Sequence, residues 1–177
     1  SRGLGDVYKR QFQSSVVLFR TDSEEILRTI PIGNALIYDL HFLPGNTLCV
    51  LCEDALYFYE LDGQCLGSYA FEDAYLKDYT LDGNGFVTLV MNLYKAGNGY
   101  TALTVGYDGT VLGTLPISEQ ILDISASGKY LALLTSGALS IYDQNLTEYA
   151  VSDNTTGASS AVMREDGSAI LLANGHG

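Results

Sequence analysis

The stretch Tyr59-Glu60-Leu61-Asp62-Gly63 ends a run of β-forming residues with an aromatic side chain and passes directly into a tight-turn signal. Similar signals recur about every 40 residues, and a second series of turns alternates with the first. Repeats of about 40–45 residues with four short strands each are typical of β-propeller blades. The first series comprises Thr21-Asp22-Ser23, Leu61-Asp62-Gly63, Asp108-Gly109 and Asp143-Gln144-Asn145; the second comprises Pro44-Gly45-Asn46, Asp82-Gly83-Asn84-Gly85, Ser127-Gly128-Lys129 and Asp166-Gly167-Ser168.

The predicted fold is therefore all-β: a β-propeller fragment of about four blades, each a four-stranded antiparallel sheet. Asp62-Gly63 and Asp108-Gly109 predict two-residue hairpin loops, because glycine accepts the positive φ that such turns require. No helical period persists over ten residues. We expect a strand pair within 15–32, complete blades over 37–71, 76–116 and 121–151, and a final pair within 161–173.

Residues 1–11 do not fit the repeat, and the chain has no initiator Met. This string resembles the translated sequencing-adapter tail that is found at the ends of metagenomic reading frames. We expect a non-native leader at 1–11 and a propeller domain at 12–177 that is incomplete at both ends. The alternative is a natural polar leader. An incomplete propeller leaves strand edges open, whereas pairing of the first and last strand pairs would close a four-blade ring.

The formal net charge of −12 restricts the classes of partner. Nucleic-acid affinity comes largely from basic side chains that replace counterions, so we expect no nucleic-acid partner. The same charge disfavours docking on anionic lipid. The apolar fraction of 47% is sufficient for a core, and no stretch reaches the roughly 18–20 apolar residues that span a bilayer.

The three cysteines, Cys49, Cys52 and Cys65, include a pair with CxxC spacing, which is found in metal and redox sites. However, Cys49 and Cys52 fall within a predicted buried strand, where residues three apart face opposite sides. We therefore expect neither a metal site nor an intrachain disulfide.

A recurrent Asp-x-polar pattern occupies the first strand of three predicted blades. Residues i and i+2 share a face of a strand, so these pairs are candidates for a ligand or cation site that lines the central channel. In the alternative, each Asp satisfies backbone N–H groups between blades. Counting back from the turn glycine, the last unit has Val162 and Arg164 at these positions. The candidate binding residues are Asp39, His41, Asp78, Thr80, Asp123 and Ser125.

Histidine-dependent chemistry has little support in the sequence. His41 and His176 are the only histidines, and they lie far apart. A metal site or a catalytic triad requires more converging ligands than these. We predict no catalytic residue, no metal ligand and no cofactor.

Two segments, Ile124–Ala132 and Leu139–Asp143, resemble the first turn and third strand of WD-repeat-like bacterial propellers. Tyr142-Asp143 stands where WD repeats have Trp-Asp. Residues 15–173 are similar to a family of bacterial propellers of unknown function with an N-terminal membrane anchor. The resemblance implies an extracytoplasmic, cell-surface location in a membrane-anchored parent protein, with the fragment itself soluble, and it implies no activity.

These observations favour a non-catalytic binding or scaffold domain with an unidentified protein or polymer ligand. The alternative is a propeller enzyme of the hydrolase or lactonase type with its site at the channel mouth. A third class is a structural spacer without a ligand.

Overall fold

The structure, a computed structural model, describes residues 13–23, 25–93 and 99–174, and within them it contains strands and turns but no helix. The strands are β1 Ser14–Phe19, β2 Ile26–Gly33, β3 Ile37–Leu43, β4 Thr47–Cys52, β5 Ala55–Tyr59, β6 Cys65–Ala70, β7 Tyr75–Thr80, β8 Phe86–Asn92, β9 Tyr100–Gly106, β10 Val111–Ile117, β11 Ile121–Ser127, β12 Tyr130–Thr135, β13 Leu139–Tyr142, β14 Glu148–Ser152, β15 Ala158–Met163 and β16 Ala169–Ala173.

These strands form three four-stranded antiparallel sheets, each from four consecutive strands. We name them blade I (β3–β6), blade II (β7–β10) and blade III (β11–β14). The leading pair β1–β2 and the trailing pair β15–β16 are separate two-stranded sheets. The predicted all-β fold, with blades of four antiparallel strands, is confirmed.

The first strand of each blade is its inner strand. The inner strands β7, β11 and β15 lie against one another in order. An isolated parallel bridge joins Gly83 to Gly128, and the Asn84 amide donates to the Gly128 carbonyl at 2.7 Å. The blades are therefore arranged with their inner strands converging, as in a propeller.

The core consists of apolar layers between successive blades, and the second strand of each blade contributes to two of them. On β4, Leu48 and Val50 pack toward the leading pair, whereas Cys49 and Leu51 pack toward blade II. The second strand is therefore covered on both faces, which explains its continuously apolar sequence.

The cysteines follow this alternation. Cys49 lies in the layer between blades I and II, whereas Cys52 lies in the layer beneath the leading pair. Burial raises the pKa of Cys49 to about 12 and that of Cys52 to about 11. All three cysteines are free thiols, and Cys65 is exposed. The prediction that Cys49 and Cys52 face opposite sides of their strand is confirmed.

The predicted two-residue hairpin loops are wrong. In blade I the loop has three residues: the Glu60 amide donates to the Gln64 carbonyl at 2.8 Å, and the Gly63 amide donates to the Glu60 carbonyl at 2.9 Å. Gly63 has φ 91°. The Asp62 carboxylate accepts a hydrogen bond from the Gln64 amide at 2.8 Å and so stabilises this three-residue loop. The third loop residue, Gly63, adopts the left-handed backbone conformation that such loops require.

The leading and trailing pairs do not belong to one sheet. The described strands therefore do not form the closed four-blade ring. Residues 1–11 and His176 lie outside the described residues, so the predicted leader is not tested. The described residues include no helix that could span a membrane.

Gly67 on β6 is a position where blade packing excludes a side chain. A Cβ there would collide with the carbonyl oxygen of Asp108 in blade II. We expect Gly67→Ala to lower the free energy of unfolding by roughly 1–3 kcal/mol, because the two blades must separate to admit the methyl group. Denaturant unfolding measures the change. Gly99→Ala is the matched control, since its Cβ would meet nothing within 4 Å, and equal losses in both variants would contradict the packing argument.

Candidate functional site at the inner strands

Each inner strand contains a register shift at the same place. The shift lies between Ile37 and Asp39 on β3, and equivalent shifts precede Asp78 on β7 and Asp123 on β11. A bulge of this kind re-aims the side chain that follows it. The recurrent aspartates thus share one structural position in the three blades.

The trailing pair contains the same shift, between Ala158 and Ser160 on β15. The residue that corresponds to Asp123 is therefore Ser160, and the sequence-based assignment of Val162 to this position is wrong. The error comes from measuring back from the turn glycine. Gly128 is the first residue of its loop, whereas Gly167 is the third residue of a loop closed by Arg164 and Ser168.

One oxygen of each inner-strand carboxylate is held within its own strand. Oδ1 of Asp39, Asp78 and Asp123 accepts the amide of the following residue at 2.8, 2.8 and 3.0 Å respectively. This contact sets the orientation of the carboxylate, so that the second oxygen is directed away from its own strand.

The second oxygen of two aspartates reaches the next inner strand. Oδ2 of Asp39 accepts the Tyr79 hydroxyl at 2.7 Å. Oδ2 of Asp123 accepts the Ser160 hydroxyl at 3.0 Å and the Ala161 amide at 2.9 Å. Ser125 adds a parallel contact, because its Oγ accepts the Met163 amide at 2.9 Å. These polar pairs therefore join adjacent inner strands.

Two side chains at the contacts between adjacent inner strands, which we call the seam, have shifted pKa values. The hydrogen bond to Asp39, together with partial burial, raises the pKa of Tyr79 to about 12. Burial raises the pKa of Asp78, the Tyr79 amide partly offsets this, and the negative charge of Asp123 adds to the rise. Tyr79 therefore stays a neutral hydrogen-bond donor, whereas the charge on Asp78 is disfavoured.

An open cavity of about 230 Å³ lies over the inner strands of the three blades. It brings together four of the six predicted residues, Asp39, His41, Thr80 and Ser125, and does not include Asp78 or Asp123. His41 Nε2 lies 3.9 Å from Asp82 Oδ1, and both side chains are exposed. The full lining is Asp39, His41, Tyr79, Thr80, Leu81, Asp82, Ile124 and Ser125.

Sequence reasoning missed Tyr79 and Asp82 as members of this site. Tyr79 is the middle residue of the Asp-x-polar pattern, and only the first and third residues of that pattern were selected as candidates. Asp82 belongs to the turn signal Asp82-Gly83-Asn84-Gly85. A role in forming this turn explains an aspartate at position 82 without any role in binding. Within the described ranges, no group of three or more His, Cys, Asp or Glu side chains is placed to hold a metal ion.

No protein-family model matches the chain, and no curated protein matches it. The chain is similar in structure to regucalcin, a calcium-binding protein from Agrobacterium tumefaciens, with 15% identity and a TM-score of 0.50 over 82% of this chain. It also matches a protein of unknown function from Bacteroides caccae, with 11% identity and a TM-score of 0.46 over 90% of this chain. The likeness to regucalcin supports the β-propeller fold and nothing beyond it.

The chain spans 56% of the regucalcin structure and 61% of the Bacteroides structure. Neither likeness bears on the predicted membrane anchor or on WD-repeat character, which stay predictions.

Substitution of Asp123 tests whether the inner-strand carboxylates stabilise the contacts between blades. We expect Asp123→Asn to lower the free energy of unfolding by roughly 1–3 kcal/mol, because an amide cannot accept all three hydrogen bonds that the carboxylate accepts. Thermal melts measure the change. Asp82→Asn is the control, because it removes the same charge from an exposed side chain, and we expect its melting temperature to equal that of the unsubstituted chain. An unchanged melting temperature for Asp123→Asn would show that the contacts to Ser160 and Ala161 do not stabilise the fold.

The raised pKa of Asp78 gives the protein's stability a specific dependence on pH. Because the pKa of Asp78 is raised in the folded chain, its contribution to the free energy of unfolding becomes more favourable as the pH falls from above that pKa toward 3.8. Asp78→Asn removes the charge and keeps an oxygen for the Tyr79 amide. We expect this variant to melt above the parent at neutral pH, with a gap that narrows toward pH 3.8. The exposed Asp73→Asn is the control for net charge, and a gap that does not depend on pH would argue against the burial of Asp78.

Proposed function

We propose that this chain is a non-catalytic binding domain that takes a protein or polymer segment in the cavity over its inner strands. The observation that carries the proposal is the convergence of Asp39, His41 and Asp82 on one open cavity formed by three blades. Fold alone assigns no function, so the proposal depends on this cavity.

The rigidity of the seam supports a binding role. Asp39 is held by the Leu40 amide and by the Tyr79 hydroxyl, and the Ser125 hydroxyl is held by the Met163 amide. Side chains fixed in this way lose little conformational freedom when a ligand binds, and preorganisation of this kind strengthens association.

The chemistry of the cavity indicates the class of ligand. The cavity presents the half-buried carboxylate of Asp39 and the exposed carboxylate of Asp82, in a chain with a formal net charge of −12. Hydrogen-bond donors and positive charge complement such a surface, and long-range attraction speeds the encounter. We therefore infer a segment that presents Lys or Arg side chains, or other cationic groups.

The resemblance to anchored bacterial propellers extends the proposal to the parent protein. In that setting the binding surface faces outward from the cell on a membrane-anchored chain. Protease accessibility of the parent protein in intact cells tests this part separately.

The rival function is a propeller hydrolase or lactonase with its site at the same end of the channel. An enzyme of this kind usually gathers carboxylates or a metal at the channel mouth, and Ca²⁺ is the first ion to examine because it takes oxygen ligands. Calcium titration followed by thermal melts separates the two. A Ca²⁺-dependent rise in melting temperature that is lost in Asp39→Asn would favour the enzyme class, since a resident metal stabilises the folded chain.

The binding proposal is tested with a fluorescently labelled oligolysine peptide, with oligoglutamate as the charge-reversed probe. We expect oligolysine to bind the parent chain at about 0.15 M salt, where distant charges are screened. We expect Asp82→Asn to weaken this binding roughly tenfold, the effect of losing one charged hydrogen bond. Fluorescence anisotropy gives the Kd.

Asp22→Asn is the matched control. Its side chain is 69% exposed against 70% for Asp82, and it removes the same charge from the turn between β1 and β2. Equal weakening by the two variants would mean that net charge alone attracts the peptide. That result, or a parent chain that binds oligoglutamate equally well, would overturn the proposal.

A further inference from the structure

His41 shares the cavity over the inner strands with both of the cavity's carboxylates. It lies on β3 two residues after Asp39, so the two side chains are on one face of that strand. Its Nε2 atom lies 3.9 Å from Oδ1 of Asp82, which belongs to the loop that follows β7. A histidine is therefore placed among the acceptors that are proposed to bind the ligand.

The charge on His41 decides what its contact with Asp82 does. At 3.9 Å the two atoms are too far apart for a hydrogen bond, but they are within reach of an ion pair once the imidazole is protonated. Both side chains are exposed, so they exchange protons with the solvent. Histidine is the side chain that ordinarily changes charge between about pH 5 and 8. The pH of the solution therefore sets whether Asp82 has an internal cationic partner.

The other groups around His41 do not change charge in this range. Tyr79 from β7 and Cys49, the cross-strand partner on β4, each have a pKa raised to about 12 and stay neutral. Aspartate carboxylates ordinarily titrate near about 3.9, below the range of histidine. Strand β11 contributes no titratable side chain to the lining, and Asp78, whose pKa is raised, does not line the cavity. Among the described lining residues, His41 is therefore the group that gains charge on mild acidification.

We propose that protonation of His41 regulates this cavity: the imidazolium pairs with Asp82 and competes with the cationic segment for the same carboxylate. This inference rests on the proposed function, since it concerns the ligand that the cavity is proposed to bind. Protonation also weakens the attraction of the site, because the two carboxylates alone carry −2 and the imidazolium reduces this to −1. The domain thus binds its ligand at neutral pH and releases it in a mildly acidic solution.

Binding of the labelled oligolysine peptide at two pH values tests the inference. Lysine ordinarily titrates near about pH 10.4, so the charge of the peptide stays constant between about pH 7.5 and 5.5. We expect the Kd from fluorescence anisotropy to be about fivefold higher at the lower pH, the upper range for competition by an exposed ion pair.

The two ways in which this experiment can fail are distinct. Binding with the same Kd at both pH values would overturn the regulation by His41 and leave the proposed function standing. A chain that binds no oligolysine at either pH would overturn the proposed function, and the regulation with it.

His41→Gln assigns the pH dependence to one residue, because glutamine is polar and does not become charged. We expect its Kd to be equal at the two pH values. His176→Gln is the matched control, since His41 and His176 are the only histidines of the chain, and we expect it to keep the pH dependence of the unsubstituted chain. A pH dependence that persists in His41→Gln would belong to another group, such as Asp78, and would overturn the inference.

Two further variants test the pairing of His41 with Asp82. His41→Lys keeps a cation beside Asp82 at both pH values, so we expect weak binding even at neutral pH. Asp82→Asn removes the carboxylate for which the imidazolium competes, so we expect a smaller ratio of the two Kd values than in the unsubstituted chain. Thermal melts at both pH values establish that each variant is folded. Tight binding by His41→Lys, or an undiminished ratio in Asp82→Asn, would overturn the proposed competition.

Discussion

The burial of both faces of the second strand in each blade is the constraint on which the structure depends. Strands β4, β8 and β12 send alternate side chains into two different apolar layers, one on each side of the blade. No blade can bury these residues alone, so its stability comes from the blades on either side. For this reason the close contacts between blades, such as that of Gly67 with Asp108, are as important as the sheets themselves.

The polar contacts of the inner strands follow from the same stacking. The bulges position Asp39 and Asp123 as acceptors toward the next inner strand, which supplies a hydroxyl to each and an amide to Asp123. Three of the side chains that join the blades, Asp39, Tyr79 and Ser125, also line the cavity. Asp39 illustrates this, because it binds Tyr79 of the next blade and lines the cavity with His41.

Much of the fold could be predicted from turn signals, because glycine and aspartate favour the local backbone conformations of turns and so mark where strands end. The site could be predicted less well. Asp39 and His41 share a face within one strand, so their pairing is a local property. Tyr79 and Asp82 join them from the next blade, and no local rule specifies how two blades align. The misassigned Ser160 position has the same origin, since loop length changes the distance from a glycine to the strand it follows.

The amino-acid sequence by itself determined the repeat, the strand-and-turn order, the acidic surface and the separation of Cys49 from Cys52. Each of these depends on residue type and on the two-residue period of a strand. Only the tertiary structure decided which oxygen of Asp123 meets Ser160, how the cavity draws on three blades, and that the leading and trailing pairs are separate sheets. These features depend on contacts between residues about 40 or more positions apart, which blade packing brings together.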